Sequence, residues 1–597
     1  MKQLLLGNEA VAYGFCDAGG AVASAYPGTP STEVTETIAK CGGVYSEWAP
    51  NEKVAAEVAI GASVAGARSL CAMKHVGLNV AADPVFTASY TGVNGGMLVV
   101  VADDPGMHSS QNEQDSRFYA RSAHIPMLEP ADSAECYEFT REALRLSEEY
   151  DTPFFLRLTT RIAHARSGVV RAPAEKRANR PYKKDVMKYV MMPGMARGRH
   201  VAVERRDNAL RAFAEETPLN RVEKGDRSVG IITSGVAYQY AKEAFPKASF
   251  LKLGMVYPLP EKKIKDFAAS VETLLVAEEL EPYLETWVKS LGIPVIGKEK
   301  LPLQGELSAG LLRERLGSLC AGLTAERAEA SAEAPGLSGS VPARPPVMCP
   351  GCPHRGAFYV LQKLGLTVCG DIGCYTLGAL SPANAMDTCV CMGASIGMAH
   401  GMAKADPSFA NKTVAVLGDS TFLHSGITGL LDVVYNKGVS TVIILDNSIT
   451  AMTGHQQNPA TGYTIQNEPT RAVNLEKLCE AVGVSRVRVC DPFDLKEFER
   501  AVKEEVAAPE PSVLIARRPC ALLKGVHYGP AFAVDPQACK NCGSCLKIGC
   551  PAIVKKPQGM EIDAQLCAGC GLCTRLCAFG AIRRADAIRR DDAIRRG

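Results

Sequence analysis

Residues 413–420 read TVAVLGDS and residues 439–447 read VSTVIILDN, with SGITGLLDVVYNKG (425–438) between them. Both outer runs are apolar without alternation, the mark of a strand buried on both faces of a parallel sheet. Each stops on polar residues, Gly418 and Asp419 in one and Asp446 and Asn447 in the other. The intervening segment has a helical apolar period and Gly438 to end it, so it reads as a crossover helix. Two neighbouring parallel strands then present Asp419 and Asn447 at their carboxyl ends, the edge where open α/β sheets bind ligands. A carboxylate, an amide oxygen and a nearby main-chain carbonyl are hard ligands suited to an octahedral magnesium that also takes phosphate oxygens. Asp or Asn after a strand is also ordinary turn chemistry.

Outward from this pattern, strand–helix alternation recurs. AVASAYPGTPSTEVTETIAK (21–40) and NEKVAAEVAIGASVAGARSL (51–70) precede the strand-like GMLVVVADD (96–104), so residues 1–195 read as βα units on a parallel sheet. A basic stretch from Arg171 to Arg206 reads as irregular. Residues 196–320 read as a second α/β unit carrying SVGIITSG, VAYQYAKEAF, FLKLGMVYPL and ETLLVAEEL. Residues 321–346, rich in Ala, Ser, Gly and Pro without an apolar period, read as a linker. Residues 347–526 hold the opening pattern, 527–585 form a small cysteine-dense module, and AIRR recurs into the tail 586–597, which reads as a solvated helix end. The expected fold class is α/β, multidomain, with parallel-sheet domains and a small α+β module.

The 597-residue chain is 47% hydrophobic and 22% charged, enough to build several cores. Its 66 Lys and Arg against 64 Asp and Glu leave no electrostatic footprint for nucleic acid or an anionic membrane. The opening MKQLLLGNEAVAYG breaks its apolar run at Gly7, Asn8 and Glu9, and no apolar stretch reaches the length of a membrane helix, so the chain reads as soluble and cytoplasmic. Twenty-two cysteines without a secretory signal point to metal or cluster ligation rather than disulfides. Eight lie between Cys539 and Cys577, and Cys349, Cys352, Cys374 and Cys520 form a second set. Cys16, Cys41, Cys71, Cys136, Cys320, Cys369, Cys389, Cys391, Cys479 and Cys490 read as small buried hydrophobes.

The strand-end pair resembles the fingerprint of thiamine-diphosphate enzymes, in which a GD pair and an Asn flank one βαβ unit. The resemblance implies that Gly418, Asp419, Ser420 and Asn447 line the cofactor site. It implies that Asp419, Asn447 and the carbonyl of Ile449 hold Mg2+, and that Gly418 lets the backbone approach the diphosphate. It also implies a glutamate from another domain that hydrogen-bonds the aminopyrimidine ring, acid–base work for a positioned carboxyl. NEKVAAEV matches that segment at Glu52, with Glu57 as a solvated helix residue. The module with Cys539, Cys542, Cys545, Cys550, Cys567, Cys570, Cys573 and Cys577 resembles two-cluster ferredoxins, where the fourth cysteine of each run ligates the other cluster. That resemblance implies one 4Fe-4S cluster on Cys539, Cys542, Cys545 and Cys577, and another on Cys550, Cys567, Cys570 and Cys573. The sequence departs from the pattern in the four residues LKIG between Cys545 and Cys550, which are expected to displace Cys550, and in Ala578 where proline usually follows the last cysteine.

YPGTPSTEV, CPGCPHRG, GDIGCYTLG, MGASIGMAHG, GDSTFLHSGI, LDNSITAMTGHQ and the terminal module together resemble the family of indolepyruvate ferredoxin oxidoreductase alpha subunits, within the 2-oxoacid ferredoxin oxidoreductases. The resemblance implies a pyrimidine-binding-type thiamine domain over 1–195, a transketolase C-terminal-like domain over 196–320, a diphosphate-binding thiamine domain over 347–526 and a ferredoxin domain over 527–585. It implies oxidative decarboxylation of aryl 2-oxo acids with coenzyme A as co-substrate, giving aryl-acetyl-coenzyme A, carbon dioxide and reduced ferredoxin. It also implies a smaller beta subunit, a dimer of alpha–beta pairs, and Thr29 near the substrate carboxylate. His75, His424 and His455 sit in matching motifs and read equally well as structural histidines. Cys349, Cys352, Cys374 and Cys520 resemble the ligands of a third cluster near thiamine, although CPGC also fits a zinc or redox pair. Another 2-oxoacid ferredoxin oxidoreductase, a non-oxidative thiamine lyase and an electron-carrier scaffold with a decayed site are the alternative readings.

Overall fold

Alternate residues of the strand Met97–Asp103 feed two different cores, which is why the run carries no polar alternation. Leu98, Val100 and Ala102 pack with Val11 and Phe15 of helix Gly7–Asp17 and Leu144 of helix Ser133–Tyr150. Met97, Val99 and Val101 pack with Ala56 and Ala59 of helix Glu52–Val64 and Leu78 and Ala81 of helix His75–Thr91. The sheet has seven strands, in the order Met255–Tyr257, Met127–Leu128, Phe154–Thr159, Met97–Asp103, Ser69–Lys74, Val22–Ala25 and Tyr45–Trp48. Only Met255–Tyr257 runs antiparallel to its neighbour.

The computed structural model describes residues 2–324 and 345–588. The chain divides into two units, Met1–Gly336 and Leu337–Gly597. Most of the expected linker 321–346 and of the tail 586–597 lies outside the described residues. Among the described residues no helix is long and apolar enough to cross a membrane.

The first unit also holds a four-stranded sheet, Thr273–Ala277, Asp226–Ser234, Ala248–Leu253 and Arg221–Glu223 in that order. Buried Arg117 ties it to the carboxyl edge of the larger sheet, and buried Arg157 braces that edge from within. Arg117 donates from Nε to Asp115 (2.9 Å) and from a terminal nitrogen to Glu278 (2.6 Å), and Arg157 donates to Asp103 (2.7 Å) and Glu129 (2.6 Å). The basic stretch expected to be irregular instead contains helix Pro193–Glu216. Proline opens it, and Val203, Leu210 and Ala214 form its buried stripe. Arg197, Arg205 and Arg211 face solvent, but two other arginines of the helix do not. Arg199 donates to the Tyr90 carbonyl (2.6 Å) and Arg206 to the Ser89 carbonyl (3.1 Å), satisfying the last turn of helix His75–Thr91.

In the second unit a five-stranded parallel sheet runs Thr367–Cys369, Thr413–Gly418, Thr441–Asp446, Ser512–Arg517 and Arg486–Cys490. Val414 and Val416 face Phe358 and Leu361 of helix His354–Leu364, while Ala415 and Leu417 face Ile396 of helix Ala394–Ala405 and Leu430 of helix Ile427–Tyr435. The cysteine-dense residues form two short antiparallel pairs, Phe532–Val534 with Ile582–Arg584 and Ile553–Lys556 with Gly559–Ile562. Between these lie two 3-10 turns, Ser544–Ile548 and Leu572–Leu576, around a small core that includes Ala552, Met560 and Ile582.

Candidate functional site

Three neighbouring strands of the second unit end on the turns GDIG, GDST and LDNS, so the polar residues after each strand share one edge. Gly418 pairs in register with Leu445, which brings Asp419 and Asn447 onto adjacent strand ends. Asp419 is only 2% exposed, and burial, with the charge of Asp446 beside it, pushes its carboxyl up to about 7. Asn458 Nδ2 donates to Asp419 Oδ2 (3.4 Å), and Thr450 Oγ1 donates to Ser420 Oγ (2.9 Å). Asn447 is buried, and its Oδ1 accepts from the amide of buried Ile449 (3.3 Å) across Ser448, whose φ is +61°.

Gly418 has another structural reason besides an approaching ligand. Its φ is an ordinary −81°, and a Cβ there would stand 2.9 Å from Tyr375 Cε1. Tyr375 is pinned across the edge by its hydroxyl, which donates to the Ile372 carbonyl (2.8 Å) and can accept from Thr421 Oγ1 (3.2 Å). Sequence reasoning missed Asn458, Thr450 and Asp371. Asp371 accepts from the amides of Ile372 (2.9 Å), Gly393 (2.9 Å) and Ser395 (3.2 Å), fastening the GDIG turn to the start of helix Ala394–Ala405. Burial still pushes its carboxyl up to about 6.

In the first unit, strands Ser69–Lys74, Val22–Ala25 and Tyr45–Trp48 are neighbours, and their carboxyl ends lead into Lys74 and His75, the Thr29 loop, and Asn51 and Glu52. Asn51 caps helix Glu52–Val64 by accepting from Val54 N (2.9 Å), which holds Glu52 in the first turn. Glu52 is buried, whereas Glu57 is exposed and paired with Lys53 (2.5 Å). Thr29 is half-buried, and its carbonyl accepts from Ser109 Oγ (3.3 Å) while Lys74 Nζ donates to the Ser109 carbonyl (2.9 Å). His75 and His424 are buried, and His455 is exposed with φ +67°.

Glu52 lies over Gly77, where an added Cβ would stand 2.5 Å from Glu52 Oε1. We expect Gly77→Ala to displace that carboxylate and lower turnover roughly tenfold to a hundredfold, the scale of an ångström of misplacement. Alanine favours the helix over glycine, so loss of fold is not the expected effect. Steady-state turnover at the wild-type rate would show that Glu52's position has no bearing on the reaction.

None of the 22 cysteines forms a disulfide. Of the cysteines expected to be buried, Cys389 and Cys391 are exposed and Cys16 and Cys41 only partly buried; Cys389 and Cys391 lie in the irregular segment before helix Ala394–Ala405, outside any helix or strand that faces a core. Cys539, Cys542, Cys545 and Cys577 line one cavity, and Cys550, Cys567, Cys570 and Cys573 line another. The extra residue before Cys550 does not carry it away from its set. Gly549 takes φ +67° and its amide donates to the Leu546 carbonyl (2.9 Å), so a tight turn absorbs the insertion. Among the described residues no three His, Cys, Asp or Glu side chains meet closely enough to hold a single metal ion.

Cys349 lies within electrostatic reach of Cys352, Cys374 and Cys520, and Cys374 within reach of Cys352 and Cys520. Burial pushes the Cys352 thiol up to about 12, with smaller contributions from Cys349 and Cys374. It pushes Cys374 up to about 11, helped by Cys520 and Cys349. The Cys520 amide donates to the Asn447 carbonyl (2.9 Å), and Cys520 Sγ lies 3.8 Å from His455 Nε2.

Residues 371–516 match the family model of the thiamine pyrophosphate enzyme C-terminal TPP binding domain. Residues 13–220 match that of the pyruvate flavodoxin/ferredoxin oxidoreductase, thiamine diphosphate-binding. Over nearly its whole length the chain is similar to three proteins named indolepyruvate oxidoreductase subunit IorA. That of Archaeoglobus fulgidus is 38% identical over 98% of this chain and 98% of its own. That of Thermococcus kodakarensis is 40% identical over 93% of each. That of Methanothermobacter thermautotrophicus is 39% identical over 98% of this chain and 97% of its own.

Proposed function

The chain belongs to the family of the indolepyruvate oxidoreductase subunit IorA, and on that premise we propose that it is the large subunit of an enzyme that oxidatively decarboxylates aryl 2-oxo acids with coenzyme A and sends the electrons through 4Fe-4S clusters to ferredoxin. It is an oxidoreductase of the 2-oxoacid ferredoxin oxidoreductase type and carries thiamine-diphosphate-binding domains. The relatives are named as a subunit, which supports a partner chain in the working enzyme, here a smaller beta subunit in a dimer of alpha–beta pairs.

Asn447 is the observation that carries this reading. Its side chain belongs to the Asp419 edge, and its main-chain carbonyl accepts from Cys520. Cys520 therefore stands at the same strand edge as Asp419 and Asn447, with Cys374 and Cys349 within electrostatic reach, which supports an electron acceptor beside the decarboxylation site.

The donor set fits magnesium diphosphate. Asp419 is a buried carboxylate whose ionised form burial disfavours, and a cation beside it relieves that penalty. With Asn447 Oδ1 and the Ile449 carbonyl it would supply the hard oxygens that magnesium takes alongside phosphate. Glu52 would exchange a proton with the aminopyrimidine ring, and Gly77 keeps its carboxylate seated. The Thr29 loop, laced to Ser109 and Lys74, would receive the substrate carboxylate. Bound thiamine diphosphate supplies the electron sink for the carbon that loses carbon dioxide. Thiols grouped four to a cavity fit cubane clusters, whose ligands spread around the cluster rather than converge on one ion.

Prepared without oxygen, the full chain should carry about twelve irons, at four per cubane on the two ferredoxin-like sets and the CPGC set. Replacing Cys349 and Cys520 together by alanine should leave about eight, with thiamine diphosphate still bound. With its partner subunit, the chain should reduce ferredoxin on arylpyruvates and coenzyme A. Turnover without ferredoxin reduction, or a chain without iron, would overturn the oxidative reading.

A further inference from the structure

Arg355 follows the CPGC motif at the start of helix His354–Leu364 and is 6% exposed. Its Nε donates to the Cys349 carbonyl (3.0 Å), one terminal nitrogen donates to the Met348 carbonyl, and the other donates to the carbonyls of Ile548 (3.1 Å) and Gly549. All of these partners are neutral, and among the described residues Arg355 has no carboxylate in ion-pair reach. The four arginines buried in the first unit have carboxylates for company: Arg68 pairs with Glu148, and Arg206, though held by main-chain carbonyls, has the charges of Asp151 and Asp207 close by. Arg117 is matched by Asp115 and Glu278, and Arg157 by Asp103 and Glu129.

A guanidinium keeps its proton, so burying one without a counter-ion is unfavourable unless an anion arrives. The nearest candidates are thiols of two different sets. Arg355 lines the cavity of Cys550, Cys567, Cys570 and Cys573, and on its other side it grips the Cys349 carbonyl. Burial pulls its pKa down, and the groups that would oppose this once ionised are the thiols of Cys550, Cys352, Cys349 and Cys570. The Ile548 and Gly549 carbonyls belong to the segment LKIG, one residue longer than the usual spacing before Cys550, so the same side chain braces the turn that returns Cys550 to its cavity.

We propose that Arg355 is a positioning residue of the electron path: the shared counter-ion of the CPGC-set cluster and the cluster on Cys550, Cys567, Cys570 and Cys573, holding both at a fixed separation. The proposal rests on the cluster reading above. A fixed positive charge beside thiolate-ligated clusters favours their reduced, more negative state. It therefore eases the passage of each electron out of the thiamine site.

The test is a redox titration of Arg355→Gln and Arg355→Lys in the full anaerobic chain, followed by electron paramagnetic resonance, with iron counted in each. In Arg355→Gln, with its iron retained, the reduction equilibrium of the two flanking clusters should shift at least tenfold toward the oxidised form, about 59 mV for one electron. Arg355→Lys should lie closer to wild type, and the cluster on Cys539, Cys542, Cys545 and Cys577 should hardly move. Loss of iron in Arg355→Gln but not in Arg355→Lys also supports the counter-ion role. Equal iron loss in both variants would reduce Arg355 to a carbonyl clasp and overturn the proposal, as would full iron with unchanged potentials in Arg355→Gln. A wild-type chain without iron would instead remove the cluster reading itself.

Discussion

Asp419→Ala abolishes the magnesium-dependent binding of thiamine diphosphate. The side chain is buried at the end of strand Thr413–Gly418, with Asn458 donating to its Oδ2 and Asn447 on the adjacent strand end. Without it, magnesium would meet an amide oxygen and a main-chain carbonyl, both neutral, while the diphosphate keeps its charge. Removing one partner of a buried charge pair costs about 3–5 kcal/mol, and at about 1.4 kcal/mol per tenfold this is roughly a 10²–10⁴-fold loss of affinity. The apo protein should not suffer, because burial and the charge of Asp446 already disfavour the ionised carboxyl. Asp419→Asn keeps a similar shape and should be as fully folded, with the same loss of binding. Calorimetry with magnesium and thiamine diphosphate reads the affinity, and thermal melting of the apo forms reads the fold. An Asp419→Ala chain that binds the cofactor as tightly as wild type would remove this edge from the site.

This edge was legible because its two signals are local. TVAVLG and TVIILD are apolar without alternation since helices cover both faces of their sheet, and the polar residues after each run stand where parallel strands end. Asn458 was not legible. It reaches Asp419 through a loop whose path no spacing rule specifies, and Asn in HQQNPATG looks like any turn residue. Gly77 was hidden for a related reason: the need for glycine arises from a carboxylate on another helix, not from its own backbone. Helix Pro193–Glu216 was misread because its arginines count as solvent-facing in a pattern, whereas Arg199 and Arg206 satisfy the carbonyls of a neighbouring helix end. The insertion before Cys550 looked like a defect in the cysteine spacing. A glycine with positive φ and the buried Arg355, some 200 positions upstream by the sequence separations of its bonds, accommodate it.

Glu52→Gln leaves folding and thiamine diphosphate binding nearly intact but lowers turnover on the order of a hundredfold or more, the range a positioned acid–base group contributes. Glutamine preserves the volume beside Gly77 and can still hydrogen-bond, but it can neither take up nor release a proton near neutral pH. The control is built into the same helix. Glu57 is exposed and paired only with Lys53, so Glu57→Gln should turn over at close to the wild-type rate. The pair separates an acid–base role from a general need for negative charge in the first turns of helix Glu52–Val64, since both variants remove one charge from that helix. Single-turnover reduction of the clusters by an arylpyruvate, with cofactor content measured alongside, isolates the step from product release. If Glu57→Gln stops turnover while Glu52→Gln does not, the two assignments are reversed. If both variants turn over normally, the aminopyrimidine partner lies elsewhere, and the buried carboxylate over Gly77 serves only to seat the start of its helix.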